Sequence, residues 1–289
     1  MGPTCHAPWA SRRVLYSSSD MMNLDAILKR TVEIATNAGE LLLRRYEALE
    51  AKDVEHKGAT DLVTVADRES EQAIVSCLRE EFPDHSIVAE EGGGTRRSSP
   101  YLWHVDPLDG TINFVHGLPV FAVSMALYQG PEPLVAVVHA PALRETFHAS
   151  RGGGAYLGRR RLRTSGCDSM MDAFLVTGFA CVRDREQANN LDNFSRIIQK
   201  CQGIRRLGSA ALDLAYVAAG RFDGFWELRL SSWDLAAGAL LVREAGGMVT
   251  DFSGGDDWLT GGHIVATNGP IHQQVMELLD PPRSKNDKS

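Results

Sequence analysis

Six residues, Asp106-Pro107-Leu108-Asp109-Gly110-Thr111, constrain this chain more than any other stretch. They follow Tyr101-Leu102-Trp103-His104-Val105, an apolar run that reads as a short buried strand. Two carboxylates, a backbone carbonyl and a Gly-Thr turn at a strand end require a fold that can gather charge at one place. Oxygen donors of this kind select Mg²⁺ or Mn²⁺ over softer metals. The amides of Gly110 and Thr111 suit a phosphate, above all if a helical turn begins there. The stretch points to metal-assisted phosphate ester chemistry.

The rest of the chain supplies mixed elements around it. Leu24, Ile27, Leu28, Ala35, Ala38, Leu42 and Tyr46 recur at helical spacing and predict a helix over 24–48. A second is expected over 67–81, stopped by Pro83. Strands are expected at 86–90, 120–128, 134–139 and 146–149, with turns between them that favour antiparallel pairing. Further strands are expected at 174–177, 222–227, 248–250 and 264–267. Helices are expected at 190–201, 209–219, 233–245 and 271–279, the third closed by Gly246-Gly247. This alternation predicts a mixed α/β (α+β) layered sandwich in one unit over 23–280.

Composition narrows the class. With 289 residues, 44% of them hydrophobic, the chain has ample material for a core. Its net charge of −7 argues against a general nucleic-acid binder, which usually carries a basic stripe. A bound metal can still reverse the local sign for an anionic substrate. The five cysteines are scattered, without a CxxC pair, which fits free thiols in a reducing cytoplasm. No apolar run has the length of a membrane span. Residues 1–22 read as a disordered extension or a misplaced start, with Met21 or Met22 as an alternative, and 281–289 as a flexible tail.

Glu90, Asp106, Asp109 and Asp234 fall at strand ends or helix starts, and Asp67 opens the second helix. Singly, each is an ordinary helix-dipole or turn residue. Jointly they are more specific. Asp61-Leu62-Val63-Thr64-x-x-Asp67, Glu90-Glu91, Asp106-Pro107-Leu108-Asp109-Gly110-Thr111-x-Asn113-Phe114, and Trp233-Asp234-x-Ala236-Ala237-Gly238 with Glu244-Ala245-Gly246-Gly247 stand in order. This set resembles the inositol monophosphatase family from about Leu24 to Leu279.

The resemblance implies a layered αβαβα sandwich of the sugar-phosphatase type and two or three Mg²⁺ per site. Glu90, Asp106 and the Leu108 carbonyl would hold one. Asp106, Asp109 and Asp234 would hold a second, and Asp67 would help a weaker third. Such a pair clamps the attacking and leaving oxygens of an in-line displacement. A metal-activated water, oriented by Glu90 and Thr111, would attack phosphorus directly, and Thr111 would pair with Asp67. The Gly110 and Thr111 amides would bind phosphate oxygens. Asp109, Gly208, Ser209, Ala210, Glu227 and Asp234 would contact the substrate alcohol, and Lys57 is a further loop residue near the metals. Glu227 lies seven residues before Asp234, as in inositol-phosphate enzymes. The family also implies lithium sensitivity and a homodimer.

Asn113-Phe114-x-His116-Gly117-x-Pro119 resembles the inositol and sugar-phosphate branch, so inositol monophosphate or a similar polyol or sugar phosphate is the expected substrate. Fructose 1,6-bisphosphate is an alternative, as is a regulatory role with RNA or the transcription machinery. Ile112 replaces a usual threonine, and Leu230-Ser231-Ser232 departs from the pairs common before Trp233; both bear on substrate preference. An aspartyl-phosphate phosphatase would need Asp-x-Asp rather than Asp-x-x-Asp. Gly92-Gly93-Gly94 and Gly152-Gly153-Gly154 lack a Gly-Lys-Ser/Thr end and read as turns. Arg159-Arg160-Arg161 with Arg163, and Arg205-Arg206, read as solvated basic faces.

Overall fold

The computed structural model describes residues 23–48, 54–56, 62–180 and 189–279. Lys57, Asp61, the expected extension at 1–22 and the tail at 281–289 lie outside the described residues.

Helix α1 (Leu24–Tyr46) forms where the apolar spacing predicts it, and Asn23 caps it by accepting from the Ala26 amide. A short antiparallel pair, β1 (Val54–His56) and β2 (Leu62–Thr64), leads into α2 (Val65–Glu81). Thr64 caps α2, and Asp67 answers from its third position in a capping box.

A seven-stranded sheet follows in chain order: β3 (Ser86–Ala89), β4 (Tyr101–Asp109), β5 (Ala122–Gln129), β6 (Glu132–Ala140), β7 (Glu145–Ser150), β8 (Gly154–Leu157) and β9 (Arg160–Arg161). β3 runs parallel to β4, and every later pair is antiparallel. The short helix α3 (Thr111–Val115) sits between β4 and β5. The second half contributes β10 (Phe174–Thr177), α4 (Leu191–Ile198), β11 (Gly203–Arg205), α5 (Ala210–Ala218), β12 (Gly224–Leu228), α6 (Ser232–Glu244), β13 (Met248–Thr250), α7 (Trp258–Gly261), β14 (His263–Thr267) and α8 (His272–Met276). Its sheet has the order β11-β10-β12-β14-β13.

Strand alternation sorts these into layers, because successive side chains face opposite sides. Trp103, Val105, Val123, Met125, Val135 and Val137 pack under α1 and α2. Ala126, Tyr128, Ala136 and Val138 face the other way and pack on α5 and α6. In β12, Phe225 joins that central layer while Trp226 faces Ile197 of α4 and Val275 of α8. The stack is α1/α2, sheet, α5/α6, sheet, α4/α8, the expected αβαβα sandwich.

The central helices set the site. A Cβ on Gly238 would meet Leu214 Cβ at 2.4 Å, so glycine lets α5 and α6 approach closely. Tyr128 donates to the Ala236 carbonyl (3.1 Å) and Ser124 to the Trp233 carbonyl (3.2 Å), which fixes α6 across β5. The N-termini of both helices thereby meet the end of β4.

Several boundaries differ from expectation. β4 does not stop at Val105 but continues through Asp109, so the first four motif residues are strand, Gly110 is the turn and Thr111 opens α3. The expected turn at 152–154 forms at 152–153, and its last residue, Gly154, already opens β8. β1, β2, β8, β9, β11, α3 and α7 are too short for an apolar period to announce them. The last expected helix, 271–279, narrows to α8.

Candidate active site

The site begins with an irregularity in β4. Asp106 pairs with Ser124 and Asp109 with Ala122, so three steps along β4 match two along β5. In a regular strand, side chains three apart face opposite sides. The extra residue of this bulge turns both carboxylates to the same side. Pro107, which has no N–H to give a ladder, sits inside the bulge. Gly110 then turns the chain at φ 98°, where a Cβ would also meet the Val120 carbonyl at 2.8 Å. Thr111 starts α3 directly behind it.

Asp106 and Asp109 are buried, and Glu90 and Asp234 keep partly exposed edges. Asp106 makes side-chain hydrogen bonds with both Glu90 and Asp234. Burial raises the Asp106 carboxyl well above the usual range, and the charges of Glu90, Asp109 and Asp234 raise it further. Burial, with repulsion from Asp109, pushes Asp234 up to about 7. A chain of touching carboxyls can hold together only by sharing protons or by holding a cation. Among the described residues no three His, Cys, Asp or Glu side chains stand at the spacing of a formed ligand shell. The chemistry of the carboxyls fits a hard cation, since every donor is oxygen and the neighbouring charges on Asp106 are negative.

Helix α2 holds this cluster from below. Asp67, Ser70 and Glu71 are buried on one face at 0%, 0% and 4% exposure. Asp67 accepts from the Thr64 amide at 2.7 Å and the Thr64 hydroxyl at 2.6 Å. Its other oxygen is 3.1 Å from the Thr111 hydroxyl, which is also 3.1 Å from the Leu108 carbonyl. Burial raises the Asp67 carboxyl, and the Thr64 bonds oppose that rise. Ser70 donates to the Pro107 carbonyl at 3.0 Å, inside the bulge. Glu71 accepts from the Glu91 amide at 2.6 Å and the Gly93 amide at 2.7 Å, fixing the loop that carries Glu90.

On the opposite side Asp109 joins α5. It accepts from the Ser209 hydroxyl (2.6 Å) and from the Ala211 and Ala210 amides (2.7 and 3.3 Å). Burial pushes Asp109 up to about 6 despite these bonds. Gly208, Ser209 and Ala210 are therefore at the site, but the Ser209 hydroxyl and the Ala210 amide are engaged by Asp109. Asn113 donates to the carbonyls of Val120 (2.7 Å) and Leu207 (2.8 Å), so it ties α3 to the loop before α5. Glu227, at the end of β12, is 6% exposed and accepts from the Ala180 amide at 3.1 Å. Burial pushes it up to about 7; the Ala180 amide and the Arg206 charge pull the other way.

All expected site residues except Lys57 thus fall in the described region around β4, α5 and α6. Four contributors escaped the sequence reading. Ser70 and Glu71 lie three and four residues after Asp67, the spacing of one helix face. Asp213 stands four after Ser209 in the same way. Arg206, read as part of a solvated face, is exposed but acts electrostatically on Asp109, Glu227 and Asp213.

This fold, with an acid cluster at a strand end, is that of a family of generally metal-dependent phosphatases. The chain belongs to the Inositol monophosphatase family, whose profile matches residues 23–283. It is 49% identical over 265 residues to "Nus factor SuhB" of Pseudomonas aeruginosa, covering 89% of this chain and 97% of that protein. It is 42% identical over 264 residues to "Inositol-1-monophosphatase" of Mesorhizobium japonicum, covering 91% and 99%. The solved inositol monophosphatase from Anabaena superposes with a TM-score of 0.81 at 40% identity, covering 90% of this chain and 98% of that one.

Proposed function

We propose that the chain is a Mg²⁺-dependent phosphomonoesterase that hydrolyses inositol monophosphate, or a closely similar polyol or sugar phosphate, by direct attack of water. The observation that carries this reading is the gathering of Glu90, Asp106, Asp109 and Asp234 at the end of β4, with the Asp67–Thr111 pair beside it. Glu90, Asp106, the Leu108 carbonyl, Asp109 and Asp234 would hold two Mg²⁺, with Asp67 near a weaker third. Bound there, the cations supply Lewis-acid stabilisation of the phosphate and lower the pKa of water.

The chain's own groups do the rest. The Thr111 hydroxyl, held by Asp67, orients water together with Glu90; the water oxygen joins phosphorus as the bond to the alcohol breaks, and one water proton ends on the alcohol oxygen. The Gly110 and Thr111 amides receive phosphate oxygens at the start of α3. Glu227 accepts hydroxyls of the alcohol, with Asp109 and the start of α5 alongside. No phosphoenzyme forms. Inhibition by Li⁺, a homodimer and a cytoplasmic setting belong to the same reading. Cys77, Cys167 and Cys201 are free thiols, in keeping with that setting. No helix of the described residues is long and apolar enough to cross a membrane.

The test is phosphate release with Mg²⁺ from inositol 1-phosphate, fructose 1,6-bisphosphate, histidinol phosphate and 3′-phosphoadenosine 5′-phosphate, with Asp106→Asn as control. Preference for inositol 1-phosphate, lost in the variant, is expected. Preference for another compound would keep the site and remove the polyol assignment of Glu227.

The name Nus factor on the Pseudomonas relative favours a second reading, in which the chain also partners the transcription machinery. That name weighs against the expectation, drawn from charge, that the chain is no general nucleic-acid binder. In cells, Asp106→Asn separates the readings. A phenotype that survives the loss of phosphate release supports a partner role; a phenotype lost completely removes it.

A further inference from the structure

Two adjacent arginines precede α5, and they are held in opposite ways. Arg205 is engaged locally: its guanidinium carbon lies 4.7 Å from the centre of the Phe174 ring, and Nη1 donates to the Ile204 carbonyl at 3.0 Å. Arg206 is exposed and, among the described residues, makes no hydrogen bond and no ion pair. A side chain so placed is free to extend into water. This one instead folds back over the loop that opens α5.

Its guanidinium lies against Gly208. A Cβ there would overlap Arg206 Nη1 and stand 3.1 Å from the side-chain amide of Asn113 in α3. Gly208 has φ 87°, so both the space and the backbone disfavour a side chain. The Gly208 carbonyl faces Gly110, where a Cβ would meet it at 3.4 Å. Just beyond Gly208, the Ser209 hydroxyl and the Ala210 amide bond Asp109. Contact therefore places Arg206 beside α3 and the start of α5, with Gly208 between it and the turn that would receive the reacting phosphate. Its charge acts on Asp109 of β4, Asp213 of α5 and Glu227 of β12, in agreement with that place.

The acids that line this site repel a phosphate, and bound cations would answer the phosphate being cleaved. A second phosphate on the same substrate needs a cation of its own, away from the reacting end. A guanidinium is permanently charged and can meet a phosphate with two parallel N–H groups. Arg206 is exposed enough to be reached and has no protein partner to give up.

We propose that Arg206 is a specificity-determining residue that binds a second phosphate group carried by the alcohol part of the substrate. The proposal rests on the phosphomonoesterase reading and deepens it. Bisphosphates of sugars or cyclitols are preferred over monophosphates of the same alcohols. A contact remote from the reacting bond, made equally before and during reaction, lowers KM and leaves kcat unchanged.

The test uses two pairs of compounds that differ by one phosphate: inositol 1-phosphate against inositol 1,4-bisphosphate, and fructose 1-phosphate against fructose 1,6-bisphosphate. Phosphate release is measured at saturating free Mg²⁺ and low salt on the full chain, Arg206→Gln and Arg206→Lys. In the wild type, KM is expected to be about tenfold lower for the bisphosphate of at least one pair, the size of one charge-assisted contact, with kcat within about twofold. Arg206→Gln should erase that difference and leave KM for the monophosphates within about twofold. Arg206→Lys keeps the charge without the fork and should retain part of it. All three proteins should melt alike, since the substituted side chain is exposed and has no partner to lose.

Equal KM within both pairs in the wild type overturns the proposal and leaves the phosphatase reading in place. A difference that survives in Arg206→Gln gives the second phosphate to another residue and also overturns it. If Arg206→Gln raises KM for the monophosphates as much as for the bisphosphates, Arg206 serves the reacting phosphate or balances the acids around it, and the proposal falls. No Mg²⁺-dependent release from any of the four compounds removes the phosphomonoesterase reading as well.

Discussion

Two groups of buried acids flank β4, and they are treated in opposite ways. On α2, Asp67 and Glu71 have their oxygens answered by hydroxyl and amide donors. Across the sheet, Asp106 meets the carboxyls of Glu90 and Asp234. Desolvation penalises both groups and both receive donors of the protein, Asp106 from the Leu108 amide at 3.0 Å and Asp234 from the Ser231 amide at 2.7 Å, but the second also sets carboxyl against carboxyl at Asp106. The difference separates two functions. The α2 acids are part of what holds the bulge and the Glu90 loop in place. The β4 and α6 acids store repulsion that only a cation or protons relieve, as expected where a site costs stability.

Substituting one member of each group tests the contrast most severely. Asp106→Asn is expected to lower phosphate release by about 10³-fold or more, because a shared ligand position is lost. The metal-free variant should nonetheless melt at or above the wild-type temperature, since a like charge has gone. Glu71→Gln should do the reverse in stability, costing about 1–3 kcal/mol as its amide group faces the Glu91 or Gly93 N–H. Its activity should fall about 10- to 100-fold, chiefly through a higher Mg²⁺ concentration for half-activation. Calorimetric melts and Mg²⁺ titrations of both variants check this. A destabilised Asp106→Asn beside a stable Glu71→Gln would break the comparison.

The two groups were not equally legible. Asp106, Asp109, Asp234 and Glu90 stand in short motifs whose residue types already state oxygen-ligand chemistry, and α1, α2 and α6 follow from apolar period. What the motif hides is how Asp106 and Asp109 come to face one side. That depends on a bulge, which is a relation between β4 and β5 and leaves no mark beyond Pro107. Glu71 and Asp213 were hidden for another reason. Each sits inside a helix, where an acid usually faces solvent, and only the packing of α2 on β4 and of α5 on β12 buries it. Arg206 is exposed, as its reading as a solvated face expects, yet its charge also reaches the buried carboxyls of Asp109, Asp213 and Glu227.

A smaller effect sharpens the same comparison. Asp109 is pushed up to about 6 and Asp234 to about 7, while an unfolded Asp titrates near ~4. An acid whose pKa is raised by folding holds its proton better in the folded state. Between those values the folded chain binds more protons than the unfolded one, so stability falls as pH rises. From these two groups the metal-free protein should lose on the order of 4 kcal/mol between pH 5 and pH 7.5. Saturating Mg²⁺ should flatten the slope, because the cation takes over the role of the protons. Asp234→Asn should lessen it without metal, because the more strongly raised of the two carboxyls is then gone, and Glu71→Gln, which leaves both carboxyls in place, should leave it unchanged. Thermal melts from pH 5 to 7.5, with and without Mg²⁺, decide the matter. A slope undiminished in Asp234→Asn would place the proton uptake at Glu227 and Asp213 instead, two carboxyls that burial also raises.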